Sequence, residues 1–152
     1  MQAILTPLHS VEVKRSSRAR SRPPVLIIVE SDPSQFALLK KALWKSGATA
    51  RVWWAQDAAD ALEIIGALGS STTQISLVAD LNCAALAGSE LLRRAEDGPR
   101  PIRLAVLTGC EDADARERAF AFGAKAFFQK QESWDQLLET ARALQQFALG
   151  VC

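Results

Sequence analysis

The chain has 152 residues, 49% of them hydrophobic, with a formal net charge of +1, which suits one domain with one ordinary core. Lys14, Arg15, Arg18, Arg20 and Arg22 against Glu12 give the first 22 residues a net of +4, leaving about −3 for the rest, so the folded part has no basic stripe and nucleic acid is not expected as a partner. No run reaches the roughly 18 apolar residues that cross a membrane, and Cys83, Cys110 and Cys152 are odd in number without C-x-x-C spacing, which argues for a reducing cytoplasm rather than a zinc site or disulfide framework.

Residues 1–24, with Ser16, Ser17, Ser21 and the Pro23–Pro24 pair, are too polar and too punctuated to pack, and a flexible basic arm is expected ahead of a domain over 25–152. Its apolar Ala3-Ile4-Leu5 comes before the basic residues, the reverse of a secretory signal. Val25-Leu26-Ile27-Ile28-Val29 reads as a strand buried on both faces and ends in the acidic turn Glu30-Ser31-Asp32-Pro33. Pro33 suits a first helical position, Phe36, Leu39 and Leu43 recur at helical spacing, and Gly47 stops the helix. Arg51–Trp54 follows as a short strand whose adjacent tryptophans must point in opposite directions, one of them outward.

A helix over Asp57–Leu68 is capped by Asp57, and Ile75–Ala79 is a buried strand with Asp80 at its end. The loop Leu81–Gly88 leads to a helix near Glu90–Ala95, and Pro101–Leu107 forms a fourth strand ending at Thr108. A helix near Asp112–Phe122 stops at Gly123, and Ala124–Gln129 is a fifth strand closed by Lys130. From Ser133 the last helix sets Trp134, Leu137, Leu138, Ala141 and Leu144 on one face. Phe120, Phe122 and Phe128 are expected in the core or on a dimer surface, and His9 is inert.

Five strands alternating with five helices predict an α/β fold with a doubly wound, five-stranded parallel sheet of flavodoxin-like form. Function in such sheets collects at the carboxyl ends of the strands. Here those ends carry Glu30, Asp80, Thr108 and Lys130: two carboxylates, a hydroxyl and an ammonium. Paired acids suit a hard cation such as Mg²⁺, and the donors suit an incoming phosphoryl group, whose transfer depends on positioning and charge stabilisation. No glycine-rich phosphate loop or nucleophile elbow points to an α/β enzyme.

Four blocks in this order resemble bacterial two-component response-regulator receivers over residues 25–148: Val25-Leu26-Ile27-Ile28-Val29-Glu30, Leu77-Val78-Ala79-Asp80-Leu81-Asn82, Val106-Leu107-Thr108-Gly109, and Gly123-Ala124-Lys125-Ala126-Phe127-Phe128-Gln129-Lys130. The resemblance implies that Asp80 is the phosphoacceptor, Lys130 its counter-charge, Thr108 and Phe127 the switch pair, and Mg²⁺ the cofactor, held by Glu30, Asp80 and the backbone carbonyl of Asn82. It further implies that Asn82 and Cys110 tune the lifetime of the phosphoryl group. The ending Leu144-Gln145-Gln146-Phe147-Ala148-Leu149 is similar to stand-alone receivers that partner bacterial phytochromes. Its implied partners are a histidine kinase or phosphotransfer protein and a downstream protein, with homodimerisation through the face of the fourth helix, fifth strand and fifth helix. The chain would be a phosphoryl acceptor rather than an enzyme, catalysing at most its own phosphorylation and dephosphorylation.

The pattern departs from the family at several positions. Ser31 stands where the second acid, a direct metal ligand, is usual, so Mg²⁺ binding is expected to weaken; Asp32 is not expected to substitute, because neighbouring side chains leaving a strand diverge. Gln131 replaces the proline that usually follows the lysine, which predicts a trans peptide there. Cys83, Ala84 and Ala87 also break the usual loop sequence. The alternative expectation is a pseudo-receiver, binding protein through the same face without phosphorylation.

Overall fold

A computed structural model describes residues 23–69, 74–80, 93–94, 98, 101–109, 113–121 and 123–150. The elements run β1 (Val25–Val29), α1 (Pro33–Lys45), β2 (Arg51–Ala55), α2 (Ala58–Leu68), β3 (Ile75–Ala79), β4 (Ile102–Thr108), α3 (Ala115–Ala121), β5 (Ala126–Gln129) and α4 (Trp134–Ala148). All pairings are parallel in the order β2-β1-β3-β4-β5. The central strands β1 and β3 are buried at every position, as continuous apolar runs in a sheet covered on both faces should be.

Strand parity divides the core. Val25, Ile27 and Val29 join Ile75, Leu77, Leu104 and Val106 under α2 and α3. Leu26 and Ile28 join Val78, Ala105 and Leu107 under α1 and α4. One-residue alternation thus feeds two separate layers, which is the doubly wound arrangement. The strand order changes direction between β1 and β3, so their carboxyl ends border the crevice where such folds bind ligands.

The helix ends follow local chemistry. Pro33 occupies the first turn of α1 behind the cap residue Asp32, and Gly47 leaves the helix at φ +82°, a conformation that favours glycine. Asp57 accepts from the Asp60 amide at 2.9 Å to cap α2, and Ser133 accepts from the Gln136 amide at 3.2 Å to cap α4. At the far end of α4, Arg103 donates to the Phe147 carbonyl at 2.6 Å and lies 4.2 Å from the Phe147 ring centroid, while Gln74 donates to the Ala148 carbonyl at 3.0 Å. These donors satisfy carbonyls that a helix end otherwise leaves open.

One expectation about side chains needs correction. Trp134 is 37% exposed rather than part of the apolar face, because it opens α4 beyond the layer; the ammonium of Lys41 sits 5.8 Å from its ring. Phe147 fills the core instead, fully buried and edge-on to Phe128. Phe120 is exposed at the surface of α3 and Phe128 is half-buried in the α1/α4 layer. The helix expected near Glu90–Ala95 lies outside the described residues apart from 93–94, which are helical, and the arm through residue 22, Phe122 and the loop Leu81–Gly88 lie outside them as well.

Candidate functional site

Glu30 directly follows β1, and Asp80 directly follows the neighbouring β3. Lys130 follows β5, separated from β3 by β4, so only a long side chain can cross to them. Its amide donates to the Thr108 carbonyl at 2.8 Å, continuing the β4–β5 ladder one step past the strand and fixing where the side chain departs. The ammonium of Lys130 then donates to Glu30 Oε1 at 2.9 Å and to Asp80 Oδ2 at 3.1 Å. These contacts join residues 100 and 50 positions apart in sequence. The three side chains are only 12–26% exposed, so the charges meet in a partly desolvated rim.

Lys130 shows two opposing influences. Burial pushes its pKa down, but the hydrogen bonds and negative charges of Glu30 and Asp80 outweigh that and hold it above the ordinary lysine value. The ammonium is therefore firmly charged at neutral pH and holds both acids.

Each polar atom of Glu30 has a partner, Lys130 among them. Its Oε2 accepts from the Asp32 amide at 3.1 Å, its amide donates to the Ala55 carbonyl at 2.9 Å, and its carbonyl accepts from Trp54 Nε1 at 2.8 Å. Asp32 turns its own carboxylate to α1, accepting from the Ser34 amide at 2.9 Å and the Ser34 hydroxyl at 2.7 Å; these bonds hold its pKa below the usual carboxylate value. It serves as a helix cap, beside the exposed Ser31. Asp-Pro-Ser at the start of an amphipathic run is a capping signal, and could have revealed this role from sequence.

Of the other expected site residues, Thr108 ends β4 and is fully buried. A methyl group added at the following Gly109 would lie 3.9 Å from Lys130 Cβ, which places the end of β4 against the lysine stem. Phe127 is half-buried against the α2/α3 layer, with the Arg116 guanidinium 5.7 Å from its ring. Asn82 and Cys110 lie outside the described residues. No peptide bond among the described residues is cis, so Lys130–Gln131 is trans. Beside the charged cluster a cleft of about 40 Å³ is walled by Gln35, Leu38, Leu107, Gln131 and Leu137. It has room for a few waters or one small oxyanion.

A charged rim at the carboxyl edge of a five-stranded parallel sheet, with an acid, an ammonium and a strand-end threonine, defines a receiver-type arrangement. Residues 26–142 match the family of the response regulator receiver domain, and the chain belongs to that family, the receiver module of two-component signalling. Solved structures share the fold. A response regulator in red light signalling of R. palustris is 19% identical at a TM-score of 0.68, covering 85% of this chain and 96% of that one. The phosphorylated cyanobacterial phytochrome response regulator RcpA is 17% identical at a TM-score of 0.64, covering 86% and 96%. The Mn²⁺-bound form of response regulator Rcp1 is 19% identical at a TM-score of 0.64, covering 86% and 97%. No curated protein matches the sequence. Among the described residues no helix is long and apolar enough to cross a membrane.

Proposed function

We propose that this receiver accepts a phosphoryl group on Asp80 from a phosphohistidine of a histidine kinase or phosphotransfer protein. The observation that carries the reading is the single ammonium of Lys130 bonded to both Glu30 and Asp80. An Asp80 carboxylate oxygen forms the new bond to phosphorus as the phosphorus–nitrogen bond breaks, and the imidazole leaves with the electron pair and takes a proton. Lys130 balances the negative charge gained at Asp80, and the Thr108 hydroxyl donates to the phosphoryl oxygens. Thr108 and Phe127 then reorient together and change the face that includes α3, β5 and α4, through which the protein docks a downstream partner or a second copy. On this reading the chain is a cytoplasmic phosphoryl acceptor, catalysing at most its own phosphorylation and dephosphorylation.

The donor set suits Mg²⁺ in chemistry but sparingly in number. Glu30 and Asp80 offer hard carboxylate oxygens, the Asn82 carbonyl would be the third protein ligand, and Ser31 contributes only a neutral hydroxyl. When bound, the cation supplies further charge neutralisation for the transferring group. Rcp1 is described with Mn²⁺ and RcpA as phosphorylated, which is in keeping with both parts of the proposal.

Ser31 favours a second reading, a pseudo-receiver that binds partners without phosphorylation. Incubation with a small acyl phosphate and Mg²⁺, followed by intact mass measurement, separates the two. A phosphoryl-sized gain in the wild type that is absent in Asp80→Asn supports the acceptor; no gain, with no binding of beryllofluoride, supports the pseudo-receiver.

A further inference from the structure

We infer that Trp54 is a positioning residue for Glu30, linking the phosphoryl site to the packing of α1; this rests on the acceptor reading above. Trp54 lies on edge strand β2 and pairs in register with Ile28, two residues before Glu30. Ile28 belongs to the α1/α4 layer, and Trp54 follows the same parity: its ring stacks on Phe36 of α1 with centroids 5.2 Å apart and planes 16° apart. Trp53 takes the opposite face and is 43% exposed. The adjacent tryptophans therefore have different work, and only Trp54 points toward the site.

The contact that matters is the indole N–H to the Glu30 carbonyl, at 2.8 Å. That carbonyl belongs to the residue whose two carboxylate oxygens are held by Lys130 and by the Asp32 amide. Between Glu30 and the first turn of α1 lie only Ser31 and Asp32, so the turn has little else to define it. Fixing the Glu30 peptide plane sets the starting point of its side chain, and hence the direction in which its carboxylate meets Lys130 and a cation. Phe36 braces the indole from the other side, so a shift of α1 would be felt at Glu30 through one stack and one hydrogen bond. With Ser31 neutral, Glu30 is the carboxylate following β1 that bonds Lys130, and its placement carries more weight than it would beside a second acid at position 31.

The test compares Trp54→Phe, which keeps a ring for Phe36 but removes the N–H, with Glu30→Gln and the double variant. Mn²⁺ alone is titrated and free ion counted by electron paramagnetic resonance. Loss of one hydrogen bond that orients a ligand should weaken Mn²⁺ binding about threefold to tenfold. The same substitution in the Glu30→Gln background should have less than half that effect in logarithmic terms, since the residue being positioned is already impaired. Equal losses in both backgrounds, or wild-type binding by Trp54→Phe, overturn the inference. A second arm needs no Trp54 variant. Of the four tryptophan indole N–H resonances, that of Trp54 should move in metal-free Glu30→Gln, and move again in the wild type when Mg²⁺ and a small phosphodonor are added. An indole signal indifferent to Glu30→Gln refutes the coupling. A wild type that takes no phosphoryl group while its Trp54 signal still follows Glu30→Gln refutes the acceptor reading instead.

Discussion

Replacing Lys130 by methionine removes one ammonium and leaves two carboxylates facing each other. Each bonds the same nitrogen, at 2.9 and 3.1 Å, so those two oxygens are no more than about 6.0 Å apart. At an effective dielectric near 20 their repulsion is about 3 kcal/mol. Partial exposure of Glu30 and Asp80 reduces that to roughly 1 kcal/mol, and the ion-pair attraction lost, after desolvation is discounted, adds a similar amount. Lys130→Met should therefore cost about 2 kcal/mol, read as a fall of about 1 M in the urea midpoint at pH 7. The pH dependence has a definite sign. Lys130 is held above the ordinary value of 10.5, so its contribution is full below that value and is lost as pH rises through the folded one. The gap between wild type and variant should stay constant from pH 7 to about 9 and narrow above 10.5. A variant as stable as the wild type at pH 7, or a gap that persists undiminished at alkaline pH, would refute the argument that Lys130 holds the two acids together.

Ser31→Asp should restore a negative charge at the rim: one charge at roughly 4 Å from a divalent ion is worth about 2 kcal/mol even at the dielectric of water, or roughly thirtyfold in Mg²⁺ affinity by calorimetry. An unchanged affinity would mean that position 31 faces away from the site. Ser76 is fully buried in β3 and its hydroxyl finds no partner among the described residues, so Ser76→Ala should raise stability by about 1 kcal/mol in thermal or urea unfolding; destabilisation would mean that the hydroxyl is bonded after all. Arg103→Ala should lower stability by about 1–2 kcal/mol, because it removes both a carbonyl cap on α4 and the packing on Phe147, while leaving Mg²⁺ binding unchanged.

Much of this architecture was legible because burial writes itself plainly into parallel strands. The five-residue runs from Val25 and Ile75, short and ending at acidic residues, read as doubly covered strands, and Asp57, Pro33 and Gly47 mark helix ends by backbone chemistry. Glu30 and Asp80 are neighbours because β1 and β3 are adjacent, whereas Lys130 joins them only because its long side chain spans β4. What the sequence left open was direction. It required Trp53 and Trp54 to diverge, but only the register of β2 on β1 decides which one reaches Glu30. It carried the Asp-Pro-Ser capping signal for Asp32 beside a possible metal site, and the bonds from Ser34 show that the cap is the role taken. Trp134 has the spacing of a core residue, yet the first turn of α4 projects past the layer and leaves it exposed, while Phe147 near the other end of the helix is buried.

The central claim is that Asp80 is the atom-bearing acceptor. An aspartyl phosphate is an acyl phosphate, and borohydride reduces it to an alcohol, converting the aspartate to homoserine. Wild-type protein treated with a small phosphodonor and Mg²⁺, reduced, digested and sequenced by mass spectrometry should carry homoserine at position 80 and nowhere else. Homoserine at another carboxylate, or none at all under conditions that label a known receiver, would contradict the account.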